Sequence, residues 1–342
     1  MSARAFILSD CEYPECEEKP YALLTANPTK GHHFIAQTEQ RQHAFNTQVN
    51  PQNQNVYRWP LALLHPPYRG HVQSVNIENN LEYHNLYTLT FAEGNNGKQY
   101  NLESWFSRHE SGYEEACNSL RTVRSGRQSA SAALWRVLKL KLLGILRNPY
   151  NRGDHFVYQL HQILYAHLPL VSAEFIGLIA ERPQQRLEKI LHTFGFKIDE
   201  YTRWLANLYG MLSEGVHQPS LFERLFAALF ANPEAVKIEL YRYTGKHDCC
   251  FFADSSYCLQ SSRQLLSIGV SVAADMFAIV HIQRSYWNRM AETFAADAPA
   301  HLRAEINIID NNQTQRATYN RLCIRQAHEA VYGKSNQKHD YF

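Results

Sequence analysis

The sequence lacks the features that mark the commonest classes of enzyme and membrane protein. It contains no P-loop, no glycine fingerprint for dinucleotides, no Gly-x-Ser-x-Gly turn, no His-Glu-x-x-His helix and no aromatic RNA-binding motif. No apolar run approaches the roughly 18 residues that span a bilayer, and residues 1–10 lack a basic stretch followed by an apolar one. We therefore expect neither a membrane protein nor an exported one.

Neither the net charge nor the cysteine pattern identifies a class of protein. The 34 Lys and Arg residues are nearly balanced by 32 Asp and Glu, so any contact with nucleic acid has to come from local basic patches. The seven cysteines form no paired framework, which favours reduced thiols and a cytoplasmic location. What the chain does have is 45% hydrophobic residues over 342 positions, which is enough to bury a core.

The hydrophobic period changes twice along the chain. Residues 1–100 contain strand-like and loop pieces, residues 101–232 show helical spacing, and residues 233–342 return to strand-length pieces before a closing helix predicted over residues 313–332. We predict an α+β protein, a single domain of residues 1–342 with two lobes. In this arrangement a central helical bundle packs on a mixed or antiparallel sheet built from N- and C-terminal segments.

Two helical predictions are specific. The segment from Ala132 to Arg147 is the most apolar and should form the central core helix, which Asn148-Pro149 ends. Residues 102–123 carry apolar side chains at three- and four-residue steps, which predicts a helix with one apolar stripe.

The pair His32-His33 after a turn is the sharpest local feature. Neighbouring side chains of an extended segment point to opposite faces, so one imidazole can enter a cleft as base or ligand while the other packs behind it. Two partly exposed, hydrogen-bonding histidines explain the pair equally. A zinc site of Cys11, Cys16 and His32 is less favoured, because no second cysteine pair follows at finger-like distance.

Other polar candidates follow apolar segments. Asp254 ends an apolar stretch and is predicted either as metal ligand or base, or as the cap of the next turn. Arg321 and Arg325 share one face of the last helix, which can meet phosphate or simply face solvent. The local basic patches are Arg121, Arg124, Arg127 and Arg136, and Arg147 with Arg152.

In their order these pieces resemble bacterial domain-of-unknown-function family 4238. The family's His-His-aromatic-aliphatic-Pro-Gln motif is similar to His32-His33-Phe34-Ile35 with Gln37, and its Glu-containing helix to Phe106 through Glu110. The family's apolar helix, which ends in Arg-x-Pro, resembles Leu134 through Pro149. Its strand that ends in Ser-Asp-Asn-Pro resembles Phe251 through Ser255, and its closing helix resembles Asn320 through Tyr332. The chain departs from the family at Ala36, where Pro is usual, at Ala253, where Ser is usual, and at Ser255-Ser256, where Asn-Pro is usual.

The resemblance implies a candidate catalytic cluster of His32, His33, Gln37, Asp254 and Asn320, but no established activity. One hypothesis is a nuclease-like, metal-assisted phosphodiester hydrolase of a defence or toxin system. In it, His33 and Asp254 hold a divalent metal and Arg147, Arg321 and Arg325 bind phosphate. The alternative is a non-catalytic sensor or partner-binding subunit of such a system, which recognises a protein from the same system.

Overall fold

The structure is a computed structural model, and it describes residues 29–90, 99–166, 184–212, 219–294, 302 and 304–342. The strands in chain order are β1 (Gly31–His33), β2 (Asn55–Pro60), β3 (Gln73–Asn76), β4 (Glu82–His84), β5 (Leu89–Thr90), β6 (Gln99–Tyr100), β7 (Gly126–Ser129), β8 (Val236–Arg242), β9 (Phe252–Ala253), β10 (Cys258–Ser261), β11 (Leu265–Ala273), β12 (Met276–Gln283), β13 (Glu305–Asp310) and β14 (Ala330–Gly333). Helices and sheets both contribute, and the predicted α+β class is confirmed.

The α-helices in chain order are α1 (Gln37–Arg41), α2 (Leu61–Leu64), α3 (Glu103–Glu110), α4 (Tyr113–Thr122), α5 (Ala132–Arg147), α6 (His155–Ala166), α7 (Gln184–Phe194), α8 (Ile198–Leu212), α9 (Leu221–Leu229), α10 (Arg284–Phe294) and α11 (Gln313–Gln326). Short 3-10 turns cover Pro51–Asn53, Ile77–Asn79, Pro149–Gly153 and Lys338–Asp340.

The chain divides into two compact units made of separate segments. Unit 1 comprises Met1–His32, Tyr83–His109 and Asn151–Ala228, and unit 2 comprises His33–Glu82, Glu110–Tyr150 and Leu229–Phe342. Each unit therefore draws on distant parts of the sequence. The predicted division into parts 1–100, 101–232 and 233–342 stays a prediction.

Unit 1 is mainly helical and has an aromatic core. Tyr87 lies edge-on to Phe106, with ring centres 5.0 Å apart, and 5.8 Å from the ring of Trp204 on α8. The buried Tyr201 hydroxyl donates to the Leu86 carbonyl at 2.7 Å, which ties α8 to the strand-rich segment of this unit. Buried aromatic rings contribute the most apolar area per residue, so these contacts hold the helices together.

The described residues of unit 2 include a six-stranded and a four-stranded sheet. The larger has the order β10-β11-β12-β8-β13-β7, in which only the β13–β8 pair is parallel. The smaller is antiparallel with the order β3-β2-β14-β9, so it joins strands from residues 55–76 with strands from residues 252–333. A sheet that combines N- and C-terminal segments was predicted, and this second sheet has that composition.

Both sheets of unit 2 and α11 share one apolar cluster. The ring of Phe251 stacks on Tyr341 at 3.6 Å between centres, and Phe277 of β12 stacks on Tyr319 of α11 at 4.1 Å. Trp59 of β2 lies edge-on to Phe251 at 5.9 Å. Because these rings come from segments almost 300 residues apart in sequence, the core forms only when the whole unit assembles.

The core helix α5 has the predicted bounds, Ala132–Arg147, and Ser131 caps it by accepting the Leu134 N–H. The single helix predicted over residues 102–123 is wrong, because the chain forms α3 and α4 there. Gly112 separates them with φ of 72°, a left-handed conformation that glycine tolerates, and a Cβ there would collide with the Arg136 side chain.

The closing helix is shorter than predicted. It ends at Gln326 rather than at Tyr332, and Ala330–Gly333 forms β14 instead. The cause is Asp254, whose carboxylate accepts the N–H groups of His328, Glu329 and Ala330 at 2.6–2.9 Å. Those N–H groups are therefore unavailable to the helix, and the chain turns into the sheet.

Candidate functional site

A polar group in unit 2, here called the His33 cluster, comprises His33, Gln37, Arg41, Glu110 and Arg147. Strand β1 ends at His33, and α1, which starts four residues later, carries Gln37 and Arg41. Arg147 is the last residue of α5 and Glu110 the last of α3. His33, Gln37, Arg41 and Glu110 are half-buried, whereas Arg147 is fully buried.

Hydrogen bonds connect the first three members of this cluster. The Nε2 atom of His33 lies 3.1 Å from the Glu78 carbonyl oxygen and 3.3 Å from the Gln37 amide nitrogen, and it bonds to one of them at a time, donating to Glu78 or accepting from Gln37. Gln37 Oε1 in turn accepts from Arg41 Nη2 at 2.6 Å. The Arg41 Nε atom is buried and has no hydrogen-bond partner among the residues that the structure describes. Gln37 and Arg41 are one turn apart on α1, which places their side chains next to each other.

An ion pair forms the second half of the cluster. Arg147 Nη2 donates to Glu110 Oε1 at 2.8 Å. Burial of an arginine costs free energy unless a carboxylate and hydrogen bonds compensate, and the Glu110 carboxylate provides part of that compensation. Glu110 was not among the predicted site residues, although the helix that resembles the family's Glu-containing helix ends on it.

The His33 imidazole is neutral at neutral pH. Burial and the Arg147 guanidinium lower its pKa to about 4, and the Glu110 carboxylate and backbone carbonyls only partly oppose this. A neutral imidazole has one nitrogen that accepts a proton, which a general base requires. The structure thus brings together three of the predicted residues, His33, Gln37 and Arg147, and adds Glu110.

His32 has different surroundings from its neighbour. Its ring is fully buried in unit 1, where Nδ1 accepts the Tyr87 N–H at 2.8 Å and Nε2 lies 3.1 Å from the Thr29 carbonyl oxygen. The ring also stacks on Tyr87 with an interplanar angle of 4°. Both ring nitrogens are engaged with backbone, so the geometry gives His32 a structural part, and its catalytic role stays a prediction.

Asp254 and Asn320 have their polar atoms engaged by the backbone. The buried Asp254 carboxylate accepts three backbone N–H groups, and burial raises the pKa of this carboxyl while those hydrogen bonds oppose the rise. Asn320 Oδ1 accepts the Phe251 N–H at 2.8 Å, and its Nδ2 donates to the carbonyls of Cys249 and Tyr341 at 2.9 and 2.8 Å. Within the described ranges, neither side chain hydrogen-bonds to His33.

The predicted phosphate-binding arginines do not share one environment. Arg321 and Arg325 are exposed on α11, and the Arg321 guanidinium lies 5.9 Å from the Phe342 ring centre. In the other basic patches, Arg121 pairs with Asp275 and Arg127 with Glu305, whereas the Arg136 guanidinium donates to the Ser111 carbonyl. Arg147 alone of the three predicted phosphate ligands belongs to the His33 cluster.

The predicted metal sites find no support in the described part of the chain. Cys11 and Cys16 lie outside the described residues, so the zinc prediction with His32 is not addressed. The three side chains found close enough to hold a metal are His247, His339 and Asp340, a group that includes neither His33 nor Asp254. Five cysteines, at positions 117, 249, 250, 258 and 323, are buried free thiols.

Comparisons with models of known protein families, with curated proteins and with solved structures give no match for this chain. The resemblance to family 4238 therefore stays a prediction that rests on the quoted motifs. None of the helices in the described ranges is both long enough and apolar enough to cross a membrane.

Proposed function

We propose that the protein is a phosphodiester hydrolase of the nuclease class and that the His33 cluster is its site. One observation carries the proposal: a half-buried imidazole is held neutral by burial and by the charge of a fully buried guanidinium. A base and a fixed positive charge are the two groups that hydrolysis of a phosphate ester needs most. The resemblance to family 4238 supports a place in a bacterial defence or toxin system.

His33 acts as the base in this proposal. It accepts a proton from a water molecule, whose oxygen forms a bond to phosphorus while the bond to the leaving oxygen breaks. Negative charge grows on the phosphate oxygens in the transition state. Arg41 stabilises that charge by contact, whereas the fully buried Arg147 acts on it only through its electrostatic field. Gln37 contacts both His33 and Arg41 and therefore holds the base in position relative to the charge.

The low pKa of His33 fits an anionic substrate. A base with a pKa of about 4 is neutral but weak. A bound phosphate places negative charge near the ring, and negative charge favours the protonated imidazole. Substrate binding would thus raise the pKa of His33 toward neutrality, where proton transfer is most efficient.

The test compares hydrolysis by the wild type, His33→Gln and His71→Gln. Single- and double-stranded DNA, RNA and bis(p-nitrophenyl) phosphate serve as substrates, each with Mg²⁺, with Mn²⁺ and with EDTA. We expect His33→Gln to lose about 10²- to 10⁴-fold in rate, as loss of a general base does. His71 is exposed and belongs to the same unit, so His71→Gln should keep wild-type activity.

A second candidate function is a non-catalytic sensor or partner-binding subunit. It is favoured by the engagement of Asp254 and Asn320 with backbone, since both were predicted as reactive residues. Tight binding of one of these nucleic acids without cleavage would support this candidate and refute the hydrolase. Equal hydrolysis by wild type and His33→Gln would remove the His33 cluster as the site.

A further inference from the structure

A second polar cluster of unit 2 lies where the loop after β8 contacts the 3-10 turn Lys338–Asp340. His247 Nδ1 is 3.1 Å from Asp340 Oδ1, and His339 Nε2 is 3.2 Å from the same oxygen. The three atoms lie within 4.8 Å of one another, and the two imidazole ring centres are 6.2 Å apart. Two imidazoles thus converge on one carboxylate oxygen.

The spacing of these atoms suits a shared cation. Zinc binds imidazole nitrogen and carboxylate oxygen at about 2.0–2.2 Å, mostly in tetrahedral sites, so two of its ligand atoms stand about 3.3–3.6 Å apart. The two nitrogen-to-oxygen distances, 3.1 and 3.2 Å, are within a few tenths of an ångström of that range. The two imidazole nitrogens lie within 4.8 Å of each other, so rotations of the exposed histidine side chains that bring them closer by at most about 1.5 Å would complete the geometry.

Asp340 is held so that one oxygen faces the imidazoles. Its side chain is only 7% exposed, and its other oxygen, Oδ2, accepts from Ser335 Oγ at 2.5 Å. Its backbone carbonyl accepts the Cys249 N–H at 2.8 Å and also the Arg316 guanidinium. Outer hydrogen bonds of this kind orient a ligating carboxylate and tune its affinity for metal.

The loop that carries His247 is fixed by contacts of its own. Asp248, the next residue, pairs with Arg316 at 3.3 Å and accepts from Gln313 at 2.9 Å. The Thr244 N–H donates to Asn311 Oδ1 at 3.0 Å. Because both parts of the cluster are ordered by these hydrogen bonds, a metal would bind without a large ordering cost.

The exposure of the two histidines strengthens the case. Their side chains are 67% and 72% exposed, so each could hydrogen-bond to water, yet both direct a nitrogen to the same oxygen. We propose that His247, His339 and Asp340 bind one Zn²⁺ ion. Imidazole and carboxylate are usual zinc donors, and three protein ligands leave one position for water or an external ligand. The proposal does not rest on the hydrolase activity or on the His33 cluster.

Calorimetric titration of the full chain with ZnCl₂ tests the proposal, using protein prepared without a polyhistidine tag. We expect one tight site per chain. His247→Gln and His339→Gln each remove a zinc ligand. Each should lower the zinc affinity by more than the about 10- to 100-fold that is lost with an outer hydrogen bond. The substitution Ser335→Ala removes such an outer contact and should weaken binding within that range.

The matched control is His71→Gln, which alters an exposed histidine outside the cluster and should keep wild-type affinity. The three histidine variants should melt like the wild type in EDTA, because the altered histidines are exposed. Zinc should then raise the melting temperature of the wild type and His71→Gln but not of His247→Gln or His339→Gln. Absence of a tight site, or equal zinc affinity in His247→Gln, His339→Gln and His71→Gln, would overturn the proposal.

Discussion

Asn320 and His33 illustrate two uses of a polar side chain. Every polar atom of Asn320 bonds to backbone, and the residue has no exposed surface. His33 is half-buried and hydrogen-bonded on Nε2, and its pKa is lowered by burial and by the Arg147 guanidinium. Buried polar groups with complete hydrogen bonds stabilise a fold, whereas a half-buried group with a perturbed pKa is a candidate for chemistry.

Asn320→Ala should destabilise the protein. The change leaves the Phe251 N–H and the carbonyls of Cys249 and Tyr341 without this partner, and unsatisfied buried groups cost about 1–3 kcal/mol each. Chemical denaturation measures the free energy of unfolding. Arg321→Ala, on the exposed face of the same helix, is the control and should change it by no more than about 0.5 kcal/mol. A loss for Asn320→Ala no larger than that of the control contradicts the structural role.

His33 should also make stability depend on pH. Its pKa is about 4 in the folded protein and 6.5 ordinarily, so between these values the unfolded chain binds a proton that the folded one does not. The free energy of unfolding therefore rises with pH over this interval and falls as acid is added. We expect His33→Gln to reduce that slope in denaturation curves at several pH values, while His71→Gln leaves it unchanged. Part of the slope should remain, because burial also lowers the pKa of His43.

At the scale of elements, α5 is the helix on which unit 2 depends. Besides its apolar residues it buries two cations, and each has a carboxylate partner: Lys141 pairs with Glu39 of α1, and Arg147 pairs with Glu110 of α3. The sequence predicted the bounds and the burial of this helix. It did not predict the carboxylates, which come from helices far away in sequence.

Removing one partner of the Lys141–Glu39 pair should lower the free energy of unfolding more than removing both charges does. Lys141→Met leaves the 4%-exposed Glu39 side chain without its cation and should cost about 3–5 kcal/mol of unfolding free energy. Combining it with Glu39→Gln removes the stranded charge, so the double variant should be more stable than Lys141→Met. A double-mutant cycle by urea denaturation measures the coupling. A double variant less stable than the single one would refute this account.

Leu138 and Leu142 test the apolar part of the same helix. Both are buried, at 4% and 7% exposure, and lie one turn apart. Truncation of either to alanine should cost about 2–5 kcal/mol, because it removes transfer free energy and leaves a cavity. Thermal and chemical unfolding report the change. Shifts near zero for both leucines would show that α5 is not central.

At the scale of the whole molecule, the smaller sheet decides how the chain can be divided. In the smaller sheet, β2 pairs with β14, and no strand within residues 99–166 or 184–212 pairs with it. In the larger sheet, β7 pairs with β13. We expect residues 1–232 alone to be insoluble or molten, because β2 and β7 would present unpaired edges. Calorimetry and sedimentation measure this. A monomeric fragment with a sharp cooperative melt would show that these pairings are dispensable.

The sequence alone determined the class, the bounds of α5 and the positions of β8, β12 and β13, because helical and strand periods depend on neighbours within a few residues. It also included His33, Gln37 and Arg147 among the candidate residues, together with His32, Asp254, Asn320, Arg321 and Arg325. Only the tertiary structure decided which of two adjacent histidines stands beside charge. His32 and His33 lie in the same local sequence pattern. His32, however, accepts the Tyr87 N–H, whereas His33 lies beside the Glu78 carbonyl and its pKa is lowered by Arg147 as well as by burial. Contacts between such distant segments are set by how the whole chain packs, and no local pattern encodes them.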